Sequence, residues 1–117
     1  MPADIHQLKI RVVAEVETLR KELVDLSLRI HAHPETAFQE QQASAWLAEY
    51  LERHGFRVER GICDLPTAFR AERGEGAPRV ALLAEYDALP GIGHGCLLLA
   101  CSGGPGLHAH PAWTFPE

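Results

Sequence analysis

Val80-Ala81-Leu82-Leu83-Ala84 is an unbroken aliphatic run that stops at two carboxylates one residue apart, Glu85 and Asp87. A short run that is apolar on both faces suits a strand buried in the middle of a parallel or mixed sheet. Pro90 and Gly91 forbid its continuation. The acids would then stand at the carboxyl end of a central strand, where open α/β sheets hold their ligands. His94 and Cys96 follow within ten residues of Asp87. Two carboxylates, an imidazole and a thiol in one turn-rich segment make a candidate metal or acid/base site. Spacing alone leaves a plainer alternative open. The acids can be solvated loop residues, and Cys96 a small buried apolar side chain.

The elements around this run follow from periodicity. Ile5, Leu8, Val12, Val16, Leu19, Leu23, Leu26 and Ile30 recur at helical spacing over Asp4 to His31. That stripe is one face of an amphipathic helix, packed on a sheet or, alternatively, paired in a coiled-coil seam. Pro34 ends it. Thr36 and Gln39 have the spacing of a capping box for a second helix running to about His54, with Phe38, Ala45, Trp46, Ala48 and Leu51 as buried candidates. Gly55 supplies a left-handed stop, and Phe56 can pack back on the last turn. His31 and His33 fall in the inter-helix turn, where a solvated or capping role competes with metal ligation. Short alternating segments predict strands over Arg57–Ile62 and Thr67–Glu72. With Arg79–Ala84 they would form a small sheet behind the two helices. The tail, Ser102 to Glu117, is rich in Gly, Pro and His and predicts no regular element.

Composition limits the partners. The chain has 117 residues, one domain's worth, and 46% hydrophobic residues, enough for a real core. Eleven basic residues against sixteen acidic ones, with no Lys/Arg cluster, argue against nucleic acid and anionic membrane. Three cysteines argue against a disulfide scaffold and fit a reducing, cytoplasmic setting. The start, MPADIHQLKI, lacks the apolar core of a secretory signal. No apolar run approaches the ~18 residues of a membrane span.

Leu82 to Cys96, reading LLAEYDALPGIGHGC, resembles the metal-site segment of the aminoacylase and carboxypeptidase family of amidohydrolases, family twenty among metallopeptidases. Within it the likeness is to the aminobenzoyl-glutamate hydrolase and β-alanyl-dipeptidase branch. Ile30 to Glu40, reading IHAHPETAFQE, with Leu51 to Phe56 closing the next helix, resembles that family's amino-terminal signature. Two signatures in the right order, some fifty positions apart, are more specific than either alone. The likeness covers about Leu8 to Ala100.

The resemblance implies a partial three-layer αβα sandwich over residues 1–101, with 102–117 as a tail outside it. It implies a divalent-metal amidase, with zinc first and manganese or cobalt as alternatives. Such an enzyme would cleave N-acyl amino acids, small dipeptides or aminobenzoyl-glutamate-like amides, with the full-length protein a homodimer. By matching position Cys96 would be a metal ligand. Asp87 would orient a ligand or metal-bound group, Glu85 would be a further catalytic residue, and His94 a site neighbour. Physically, such a site needs three protein ligands, an open position for water and a carboxylate to move the proton.

The pattern departs after Cys96. Relatives continue with Gly-His and then Asn or Asp, whereas this chain continues Leu97-Leu98-Leu99-Ala100. The sequence therefore reads as a truncated or frame-altered amino-terminal piece, inactive alone and marginally stable through an unpaired sheet edge. Two other readings stand beside it. One is an interaction module using the first helix or the sheet edge. The other is a small zinc domain built from Cys96, Cys101, His108 and His110. An altered frame makes a direct prediction: another frame of the encoding DNA, read beyond the Cys96 codon, contains Gly-His-Asn or Gly-His-Asp. Its absence from every frame counts against that origin.

Overall fold

The computed structural model describes residues 4–90 and the backbone of residues 110–111. Helix α1 spans Ile5–Ala32. Asp4 caps it, its carboxylate accepting from the His6 N–H at 2.9 Å. At the other end the His33 ring nitrogen Nδ1 lies 2.9 Å from the Arg29 carbonyl, and the His33 N–H donates to the Ile30 carbonyl. His33 is thus the helix's terminal cap, the role a histidine in this turn was expected to compete for.

Full burial along the apolar stripe is confined to its last turns, and Leu19 is half-buried. Leu26 and Ile30 are buried against Ala43 and Tyr50, with Trp46, Leu47 and Tyr86 packed around them. Ile5, Leu8, Val12, Val16 and Leu23 are exposed. The expectation of a sheet behind the whole stripe is therefore corrected. The stripe's carboxyl-terminal turns pack on α2, and it is α2 that the β1–β2 pair lies against.

Helix α2 spans Gln41–Arg53. The expected Thr36/Gln39 capping box does not form. Glu35 caps the helix from the loop instead, its carboxylate accepting from the N–H groups of Gln42 at 3.0 Å and Ala43 at 2.9 Å. A carboxylate satisfies two orphan donors and suits the positive end of the helix dipole. Thr36 is used elsewhere, in a bridge to Ala88. Phe38, expected among the buried residues of this helix, precedes it in a left-handed conformation (φ 66°) and is exposed. Ala48 is buried as expected. The stop at Gly55 also forms as read: φ is 83°, the Gly55 N–H donates to the Glu52 carbonyl, and the Phe56 N–H to that of Leu51.

Strands β1 (Arg57–Arg60) and β2 (Phe69–Glu72) pair antiparallel, each shorter than expected. Gly61, at φ 69°, closes the pair by donating to the Ala68 carbonyl at 2.7 Å. Cross-strand pairs Arg57–Glu72 and Arg70–Glu59 hold the register at 2.6 and 2.7 Å on the exposed face. Val58 is half-buried between exposed Arg57 and Glu59, the alternation expected of it.

The central strand is not there. Residues 79–84 are irregular, with Val80, Leu82 and Leu83 exposed by 84, 94 and 99%. A run apolar on both faces becomes a strand only between two neighbours, and none of the described residues pairs with it. The mixed sheet is accordingly replaced by two antiparallel pairs. The second joins β3 (Ala88–Leu89) to β4 (His110–Pro111), so the tail contributes a short strand where none was expected. The fold is mixed α/β, with two helices and a small antiparallel two-stranded sheet.

The cap assignment predicts a split between neighbours. Glu35→Ala lowers stability by about 1 kcal/mol through loss of the α2 cap. Thr36→Ala stays within about 0.5 kcal/mol. Urea unfolding followed by circular dichroism separates the two.

Candidate acid site at the loop junction

The two carboxylates are placed by their neighbours. Ala88, almost fully buried, donates its N–H to the Glu35 carbonyl at 2.7 Å, and Thr36 and Ala88 form a parallel bridge. The stretch Ile30–Glu40 and the stretch beginning at Leu82 therefore meet, although they lie some fifty residues apart. Tyr86 supplies the second anchor. Its phenol donates to the Thr67 carbonyl, and its ring stacks on Phe69 with centroids 5.9 Å apart. Thr67 in turn donates its hydroxyl to Glu40 at 2.8 Å, and Glu40 is itself buried. Between these anchors Glu85 is exposed and Asp87 half-buried.

An open cleft of about 340 Å³ adjoins this network, lined by Phe38, Gln39, Gln41, Ser44, Arg60 and Thr67 among others. Neither Glu85 nor Asp87 lines it. Arg60 is engaged with Glu52 at 2.9 Å.

Among the described residues no group of three or more His, Cys, Asp or Glu side chains could hold a metal ion. Glu85 and Asp87 are thus brought to one anchored segment but not into a ligand cluster. Cys96 and His94 lie outside the described residues, as do Cys101, His108 and the side chain of His110. His33 caps α1 and stands edge-on to Trp46, with centroids 5.3 Å apart. Cys63, in a left-handed turn, is exposed and unbonded to any other cysteine. What the carboxylates can do here is accept hydrogen bonds and exchange protons with a neighbour.

Sequence reasoning missed the residues that hold this segment: Glu35, Glu40, Thr67 and Tyr86. One signal was available for Tyr86. An aromatic between two acids, in a segment otherwise heading for solvent, has an apolar ring to bury and a hydroxyl to satisfy.

Burial pushes the phenols of both tyrosines above the ordinary range. For Tyr50 desolvation dominates, helped by Glu22 and opposed by Arg53. For Tyr86 desolvation again dominates, opposed by a hydrogen bond with Ser44 and helped by Glu40. The buried Tyr50 hydroxyl has no partner among the described residues.

No protein-family profile matches the chain, and no solved structure matches it. Curated proteins do. The chain is 44% identical over 77 residues to a subunit of the p-aminobenzoyl-glutamate hydrolase of Escherichia coli (strain K12), covering 66% of this chain and 16% of that protein. It is 36% identical over 107 residues to Xaa-Arg dipeptidase of Homo sapiens, covering 80% and 24%. It is 35% identical over 78 residues to thermostable carboxypeptidase 2 of Saccharolobus solfataricus, covering 65% and 20%. The chain thus spans between 16 and 24% of the length of these relatives.

The raised phenol pKa values fix a sign. The native state holds these protons more tightly than the unfolded chain. Their stabilisation is complete below about pH 10, the unfolded value, and is lost as pH rises through the higher native values. An absorbance titration should show both tyrosines ionising later in the native chain than in urea. Tyr86→Phe should remove one step and flatten the alkaline loss of stability. Ionisation of Tyr86 at the urea value would contradict its anchored placement.

Proposed function

We propose, from the premise that this chain belongs to the family-twenty amidohydrolases over the stretch it shares with the hydrolase, dipeptidase and carboxypeptidase above, that it carries the amino-terminal part of a metal-dependent amidohydrolase catalytic domain. The observation that carries this reading is the 44% identity over 77 residues to the p-aminobenzoyl-glutamate hydrolase subunit. The contact between the two resembling stretches supports it. In the whole domain α1 and α2 would form one outer layer of a three-layer αβα sandwich. The substrates would be amides of N-acyl amino acids, small dipeptides or aminobenzoyl-glutamate-like compounds. The whole enzyme would work in the cytoplasm as a pair of copies. No helix among the described residues is long and apolar enough to cross a membrane.

The described residues do not by themselves fit a metal. A hydrolytic zinc site takes three protein ligands, and they offer no such group. The proposed ligand Cys96, with His94 beside it, rests on the resemblance alone, as does the divalent metal. The roles proposed for the acids are those their placement suits. Half-buried Asp87 orients a neighbouring group by accepting its hydrogen bond, and exposed Glu85 takes and returns a proton. The isolated chain is proposed to be inactive.

One observation favours a second reading, an interaction module. Most of the α1 stripe is bare. It does not exclude the first, since a part of a larger domain would show the same face.

A chimera tests the enzyme reading. The matched 77-residue stretch of the Escherichia coli hydrolase subunit is replaced by its counterpart in this chain, extended through Pro90 where the match stops short of it. Hydrolysis of p-aminobenzoyl-glutamate is expected to persist, and Asp87→Asn to lower kcat by about 10²-fold or more. A folded, active chimera indifferent to Asp87→Asn would remove Asp87 from the site.

A further inference from the structure

Among the described residues Glu40 is the one charged side chain that is buried. It stands at the N-cap position of α2, where a carboxylate ordinarily takes the free N–H groups of the helix. It takes none of them. Its side chain makes no cap bond, and Glu35 binds the N–H groups of Gln42 and Ala43 in its place. The turn before the helix separates the two side chains that lie within it. Phe38, at φ 66°, is exposed, whereas two residues later the Glu40 carboxylate is buried and accepts the Thr67 hydroxyl at 2.8 Å.

A buried carboxylate is costly unless hydrogen-bonded, and an apolar side chain would fill the same space without that cost. What the carboxylate supplies instead is direction. Thr67, held by Glu40, offers its carbonyl to the Tyr86 phenol. Tyr86 stacks on Phe69 and directly precedes Asp87. On the other side of Asp87, the Ala88 N–H is bonded to the Glu35 carbonyl at 2.7 Å. The residues before this pair of anchors give no support, since Val80, Leu82 and Leu83 lie in solvent. Asp87 is thus gripped by its two neighbours, one tied to Glu35 and the other, through Thr67, to Glu40.

We propose that Glu40 is a positioning residue for Asp87. Its carboxylate holds Thr67, Thr67 holds Tyr86, and Tyr86 sets where the Asp87 side chain stands. The inference deepens the reading of Asp87 as a site residue and rests on it. The task calls for an acceptor rather than for a charge. Glu40→Gln keeps an oxygen for the Thr67 hydroxyl and should keep the position. Glu40→Leu combined with Thr67→Val replaces both partners by apolar groups of similar shape. It removes the bond without stranding a buried polar group, so the chain stays folded while the hold on Tyr86 is lost.

Two measurements test this. In the full chain, amide exchange is read at Ala88 and, as a control on global stability, at Ala48, which is buried within α2. The double variant should speed exchange at Ala88 by about 10-fold or more and leave Ala48 within about twofold, and Glu40→Gln should leave both within about twofold. An unchanged Ala88, or Ala88 and Ala48 accelerated together, overturns the proposal. In the hydrolase chimera above, the double variant should lower kcat by about 10-fold or more with KM within about twofold, and Glu40→Gln should restore most of the loss. Full kcat in the double variant of an active chimera also overturns it. A parent chimera without activity, or one indifferent to Asp87→Asn, sinks the catalytic reading instead, and the exchange measurement still decides whether Glu40 holds the segment.

Discussion

Glu35 performs two tasks on which the rest of the molecule depends. Its carboxylate binds the first free N–H groups of α2, and its carbonyl accepts the N–H of Ala88. The first task orients α2 against the end of α1, so that Ala43 and Tyr50 meet Leu26 and Ile30. The second brings a segment from fifty residues further on into the same junction. A side-chain cap and a backbone bond from one residue couple the helix pair to the acid-bearing segment. Disturbing the turn between the helices would disturb both.

Tyr86 closes the junction from the other side. Its ring lies against Phe69 of the hairpin, and its phenol against Thr67, whose hydroxyl satisfies the buried Glu40. A carboxylate taken out of water is costly unless hydrogen-bonded, and here one hydroxyl answers it. The chain of contacts runs from the helix turn through the hairpin loop to the acids. Their placement is therefore a property of three separate elements, not of the local sequence.

That explains what could be read from sequence and what could not. Helix α1, its end before Pro34, the Gly55 stop and the alternation from Phe56 to Glu59 follow from local rules, and all four form. The Thr36/Gln39 box failed because a competing acceptor, Glu35, lay one residue earlier with two oxygens to offer. The strand at residues 79–84 failed for a different reason. Its composition specifies what it should be between neighbours, and composition cannot specify whether the neighbours are present. The acids were legible as a pair, whereas their anchors depend on contacts across the chain that no spacing reveals. The two stretches that carry the resemblance are in contact through Glu35, Thr36 and Ala88.

The same distinction bears on stability. Most helix stability in proteins comes from packing an apolar face. In α1 the fully buried stripe residues, Leu26 and Ile30, lie in its carboxyl-terminal turns. The remainder relies on the Asp4 cap and on pairs such as Lys21–Asp25 and Arg20–Glu17, both solvent-exposed and weakened by screening. Two aliphatic surfaces are thus left in water by a sequence patterned to bury them. At Val12, Val16, Leu82 and Leu83 the apolar side chains gain nothing from exposure. Helical spacing in α1 and an unbroken run before Glu85 are patterns that match packed elements, so the sequence pattern and the exposure disagree at these two places.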